Sequence, residues 1–238
     1  MTLDLKTLYL ISAVVTLSAA GAALLTWYHH RDAPGLRSWA TALLLANVGA
    51  LLIRVVGPFT DFNVTLAANT LIVAGFALMW ASLYLTNRDR LGGARLVGLV
   101  VAGGATFVAL FAVASAMGAG LRTSSVLFSV FVGGFALASA YETWRGAARD
   151  GLRSRFPTAL AFAGLAATRF IRAGTASLEI ANMLDGHASE TIQGYTLYAS
   201  IVFVLAVTYG LILMANERTI RREDALLQHA DPSAKAGG

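Results

Sequence analysis

Cysteine is absent from this chain, and charge is scarce. The first absence removes disulfides, thiolate metal sites and cysteine nucleophiles together. The second is more restrictive. Only 13% of the 238 residues are charged, against about a quarter in a soluble domain, which leaves too little polar material for a solvated shell. Lysine occurs only at Lys6 and Lys235, so no helix interior supplies an amine for a retinal-type Schiff base. HExxH, GxSxG and P-loop signatures are missing as well. The histidines are His29, His30, His187 and His229, all at helix ends, in a connection or in the tail, and none is placed as an axial haem ligand. No metal, no haem, no other cofactor and no catalysis are expected.

What the chain does have is apolar length. Hydrophobic residues make up 57% of it, and the mean hydropathy is +0.66. A helix needs about 20 apolar residues to cross hydrocarbon, and seven stretches reach that length. The predicted helices cover about Leu8–Tyr28, Trp39–Val56, Val64–Leu85, Leu96–Met117, Ser125–Trp144, Phe156–Ala181 and Tyr195–Ala215. The first has Asp4 beside Lys6 upstream and basic residues downstream, the pattern of a retained helix rather than a cleaved signal. The seventh runs without a break signal into residues 216–230, read as a cytoplasmic extension of the helix. Residues 231–238 are small and polar and are expected to be disordered.

Alternate connections differ sharply in charge. One side holds Arg31, Arg37, Arg88, Arg90, Arg95, Arg145, Arg149, Arg153, Arg155, Arg218, Arg221, Arg222 and Lys235; the other holds Lys6 and Arg122. The positive-inside rule then sets the N-terminus outside and the C-terminus in the cytoplasm, in a bacterial inner membrane. The same distribution explains the isoelectric point near 9.9 without nucleic acid, because the basic residues sit at helix ends facing anionic lipid rather than in one patch. The expected fold class is therefore all-α, a polytopic membrane protein of seven transmembrane helices within residues 1–215. Trp27, Tyr28, Trp39, Trp80, Tyr84 and Trp144 gather toward the cytoplasmic helix ends, as an interfacial aromatic belt does.

Three arginines fall inside predicted spans: Arg54, Arg169 and Arg172. Ionisable groups at membrane depth are expensive and carry a partner or a function. Arg54 is close enough to the outer end of helix two to snorkel. Arg169 is not, since it lies about 20 Å into helix six at 1.5 Å per residue. Arg172 follows one turn later on the same face, with Glu179 two turns beyond. Asn47, two turns before Arg54 on its face, and Asn69, near the start of helix three, add amides to this outer half. One reading is a structural network in which Glu179, Asn47 and backbone carbonyls satisfy the guanidiniums. The other is a cavity whose surplus positive charge binds a small anionic, polar or lipid-like ligand.

Several segments carry a family resemblance. They are Leu5-Lys6-Thr7-Leu8, the turn Arg31-Asp32-Ala33-Pro34-Gly35-Leu36-Arg37-Ser38-Trp39, the start of helix three at Leu66-Ala67-Ala68-Asn69-Thr70-Leu71, and the exit Leu213-Met214-Ala215-Asn216-Glu217-Arg218. Together they resemble the N-terminal multi-pass membrane sensory domain of bacterial GGDEF diguanylate cyclases, over nearly the whole chain to about Ala230. The resemblance implies a sensor whose output leaves through Asn216, Glu217 and Arg218 toward a cytoplasmic signalling partner, and it suits a homodimer. No GGDEF signature occurs, so no cyclase activity carries over. The chain is either a module cut from a longer protein or a stand-alone relative, and the second is the expectation. The expected function is a signal-transducing module in the lipid bilayer, which passes a conformational change through helix seven to that partner or to a second protomer. The alternative is a small transporter or channel for an anionic solute.

Overall fold

The computed structural model describes residues 5–31, 33–56, 62–88, 92–118 and 121–230, with side chains except at 5–6, 34, 54–56, 121–122 and 227–230. The tail expected from Asp231, the connection Phe59–Asp61, Asp32 and Arg90 lie outside the described residues. All regular structure among the described residues is helical: α1 (Leu5–His29), α2 (Pro34–Val56), α3 (Phe62–Thr86), α4 (Gly93–Ala116), α5 (Leu121–Asp150), α6 (Arg155–Ile180) and α7 (Gly186–Ala230). Six of the seven are long and apolar enough to cross a membrane; the remaining one is α6. Its sequence carries Arg155, Arg169, Arg172 and Glu179 among alanines, which lowers its apolarity without shortening it.

The helices close into a ring. In spatial order α1, α2, α3, α5, α6 and α7 each pack on the next, and α7 returns to α1. Helix α4 stands outside this ring, against α3 and more lightly against α5. Aromatic side chains fasten it there: Phe107 meets Phe131 of α5 edge-on with ring centroids 5.4 Å apart, and Phe111 lies 5.3 Å from Phe62 of α3. Such pairs stabilise beyond their buried area. Glycines let the α2 and α3 backbones approach closely, because a Cβ at Gly75 would stand 2.9 Å from the Ala42 carbonyl oxygen. This is the small-residue packing that apolar helices use when no hydrophobic gain separates helix from lipid.

Trp39 occupies the middle of the ring and is fully buried. Its indole meets Phe162 edge-on at 5.7 Å and donates from Nε1 to Thr208 Oγ1 at 2.8 Å. One side chain thus ties α2, α6 and α7 at a single level, and its polar edge is satisfied as burial demands. The outer surface of the bundle is apolar, with Leu10, Val14, Tyr198 and Val202 of the ring and Val101 and Val113 of α4 all exposed.

Two connections are shorter than the sequence suggests. Helix α5 continues to Asp150 and stops where Gly151 adopts φ +63°, a left-handed position that glycine takes without a Cβ clash. Helix α6 closes on Asn182 at φ +56°, with the Asn182 and Met183 amides donating to the Glu179 and Leu178 carbonyls. Asp185 Oδ1 then accepts from the Ala188 amide at 2.7 Å and starts α7 at Gly186 rather than Tyr195. Beyond Ala215, α7 runs on unbroken to Ala230.

Candidate functional site

The face of α6 that holds Phe162 against Trp39 also carries Arg169, seven residues on, by the periodicity of the helix. Gly133 of α5 admits the close approach: a Cβ there would lie 3.2 Å from the Arg169 Cβ and the Phe170 ring. At this level, about 10–12 Å beyond Trp39 at 1.5 Å per residue, the ring interior turns polar. Thr168 and Ser200 hydroxyls share a hydrogen bond at 2.9 Å. On the α1–α2 side, Asn47 Nδ2 donates to Thr16 Oγ1 at 2.7 Å and to the Leu43 carbonyl at 2.9 Å. Asn69 is buried on α3 beside Ala68, whose carbonyl faces Gly49.

Arg169 and Arg172 are left incompletely satisfied in this layer. The Arg169 Nε and Arg172 Nη1 atoms are buried and have no hydrogen-bond partner among the described residues. Tyr9 of α1 and Arg172 both lie within electrostatic reach of Arg169, and Gln193 of α7 donates to the Tyr9 hydroxyl at 2.6 Å. A guanidinium keeps its charge in any protein setting and offers only donors. A buried N–H without an acceptor costs about 1–3 kcal/mol, more for a charged group. Two such atoms one helical turn apart therefore call for an acceptor-rich group.

The predicted site residues separate accordingly. Arg169 and Arg172 are brought together, with Tyr9 within electrostatic reach of Arg169. Asn47 is engaged by Thr16 and Leu43, and Glu179 accepts from the Ser189 hydroxyl at 3.0 Å across the α6–α7 turn. The Arg54 side chain lies outside the described residues. Among the described residues no group of three His, Asp or Glu side chains converges as a metal would need.

A second polar cluster, at the opposite end of the ring, is missing from the expectations above. Glu142, 3% exposed, receives Arg88 Nη1 at 3.1 Å and Asn87 Nδ2 at 3.1 Å. Arg155, equally buried, grips Asp150 through Nε and Nη2 at 2.6–3.0 Å and reaches Asn87 and the Thr143 carbonyl with Nη1. Asp150 also takes Arg218 Nη2 at 3.2 Å. Glu217 accepts from the Arg153 and Ser154 amides and the Ser154 hydroxyl at 2.8–3.2 Å, which caps the start of α6. Arg221 donates to the Asp150 and Gly151 carbonyls at 2.7 and 2.8 Å and so caps the end of α5. The first cytosolic turns predicted for helix seven are thus a clamp on the α5–α6 turn. Of the predicted output residues, Glu217 and Arg218 belong to this clamp and Asn216 is exposed. A cavity of about 30 Å³ lies beside it, lined by Asn87, Arg155, Arg218 and apolar neighbours, with room for about two water molecules. The sequence did hold one signal: Glu142 falls inside predicted helix five, where the rule that singles out Arg169 applies equally.

No family model, curated protein or solved structure matches the chain. Geometry and residue chemistry carry the functional reading.

Proposed function

We propose that the protein is a multi-pass sensory module of a bacterial inner membrane, N-terminus outside and C-terminus in the cytoplasm, without catalysis of its own. All seven helices cross in this reading, because α6 lies between α5 and α7 in the ring and none of its charged side chains is fully exposed. A small anionic or strongly polar ligand, free or lipid-like, settles against Arg169 and Arg172 in the outer half. The observation that carries this reading is the pair of buried, unpartnered guanidinium N–H atoms, since an anion supplies the acceptors they lack.

The signal leaves through α7. Its Ser189, Gln193 and Ser200 touch the ligand end of the ring, and its Glu217, Arg218 and Arg221 hold the α5–α6 turn at the other. A ligand that binds two packings of α6 on α7 unequally shifts their populations. The shift reaches residues 216–230 and a cytoplasmic partner or second protomer there.

Native mass spectrometry of gently extracted protein, beside an Arg169→Gln/Arg172→Gln variant, tests the site. The expected result is a discrete bound mass in the wild type that the variant loses. Wild type and variant alike in carrying nothing would sink the reading. Uptake of an anionic solute into proteoliposomes, abolished in the same variant, would favour the transporter instead.

A further inference from the structure

We propose that the turn between α1 and α2 is a headgroup site for an anionic phospholipid. The Arg31 guanidinium lies 5.1 Å from the Tyr28 ring centroid and 5.7 Å from that of Trp27, and the Arg37 guanidinium lies 5.8 Å from the same Trp27 ring. Both arginines are exposed. Arg88, Arg155, Arg218 and Arg221 each meet a carboxylate; Arg31 and Arg37 show no carboxylate contact among the described residues. Asp32 stands between them in sequence, and the turn remains net positive with it counted.

Stacking decides what these arginines can do. A guanidinium within about 6 Å of an aromatic centroid is held in place by the ring quadrupole. Its N–H groups all lie in the guanidinium plane and stay open toward solvent. Two such forks fixed on one indole form a preset acceptor for a phosphodiester, which takes paired N–H bonds from arginine.

The neighbouring surface favours a lipid over a soluble phosphate. Leu24 and Leu25 lie four and three residues before Tyr28 on α1, Arg31 follows three residues later in the turn, and all four are exposed. That stripe gives an acyl chain apolar contact directly beneath the charged forks, at the helix end where a headgroup lies. His30, next in sequence to Arg31, meets Thr219 of α7 at 3.0 Å. A headgroup bound here therefore sits beside the exit of α7. The site is independent of the outer ligand site and stands if that one fails.

Native mass spectrometry of the full chain in detergent tests it, with phosphatidylglycerol and phosphatidylcholine of equal acyl chains as probes. The wild type is expected to retain phosphatidylglycerol preferentially. Arg31→Gln/Arg37→Gln should weaken the tightest bound phosphatidylglycerol roughly thirtyfold, about fivefold per arginine. The control Arg95→Gln/Arg145→Gln removes the same charge from two other exposed arginines and should leave that binding unchanged. Arg31→Lys/Arg37→Lys, which keeps the charge but loses the forks, should fall between. Equal loss in both glutamine variants, full retention in the lysine variant, equal retention of the two lipids, or displacement by millimolar inorganic phosphate would each overturn the proposal.

Discussion

Gly146 and Arg155 function as a pair. Arg155 has 4% of its side chain exposed and is bound bidentately to Asp150. A Cβ at Gly146 would stand on its guanidinium, so the missing side chain on α5 makes the seat for the charge on α6. Gly146→Ala should push the guanidinium off Asp150 and leave buried charge unpaired. The expected loss is about 3 kcal/mol, or a fall of roughly 6–12 °C in Tm for a chain of this size. Gly146→Ala/Arg155→Met should recover part of that loss, because methionine brings no charge and bends around the new methyl. A Tm in detergent equal to that of the wild type for the single variant would show that the seat is not tight. Neither residue draws notice in the sequence, where Gly146 is one glycine of 23 and Arg155 one of several basic residues in a connection.

Helix α7 is the element that reaches both ends of the molecule. Its 45 residues begin on the Asp185 cap and extend past the bundle to Ala230. At its lower end Glu217 does for α6 what a local N-cap normally does, since Ser154 makes no side-chain cap of its own. Glu217→Ala should therefore cost about 1–2 kcal/mol, typical of a lost cap. Hydrogen exchange at the Arg153 and Ser154 amides should speed up about tenfold. Faster exchange should also appear in residues 216–226, because Arg221 loses its carboxylate partner and holds the α5 end alone. Unchanged exchange at Arg153 and Ser154 would remove Glu217 from the capping role. The continuity of α7 past Ala215 is legible in the sequence as the absence of any breaker, whereas the grip of its polar residues on another hairpin is not.

At the scale of the whole molecule, a closed ring with one outlying helix gives the protein two polar regions separated by an apolar middle around Trp39. Helix α6 shows how the setting overrides composition. Its alanine-rich, arginine-bearing sequence falls short of a membrane span by apolarity, yet Arg155 is buried, Arg169, Arg172 and Glu179 are half-buried, and Phe156, Leu160 and Ile171 give it an apolar exposed face. The absence of cysteine makes the proposed orientation directly testable. His187→Cys should react with an impermeant maleimide on intact cells from outside, and Leu226→Cys only after the membrane is opened. Labelling of both from the same side would show that α7 does not cross and would overturn the proposed orientation.

The helical class, the existence and order of the seven helices and the alternation of charge are legible in the sequence, whereas helix ends are missed by up to nine residues, at the start of α7. Each legible feature depends on properties carried by contiguous residues: apolar length and arginines near helix ends. The sequence also marked Arg169 and Arg172, because a charge in an apolar run is conspicuous wherever the run folds. Only the tertiary structure decided the partners. Asn87 meets Glu142 across 55 residues, Arg218 meets Asp150 across 68, and Trp39 meets Thr208 across 169. Such pairings follow from which helices adjoin in the ring, and apolar helices of similar composition do not announce their neighbours. That α4 stands outside, that Asn47 is engaged by Thr16, and that the arginine-rich turn after α5 is a clamp rather than a loose basic loop all follow from ring closure.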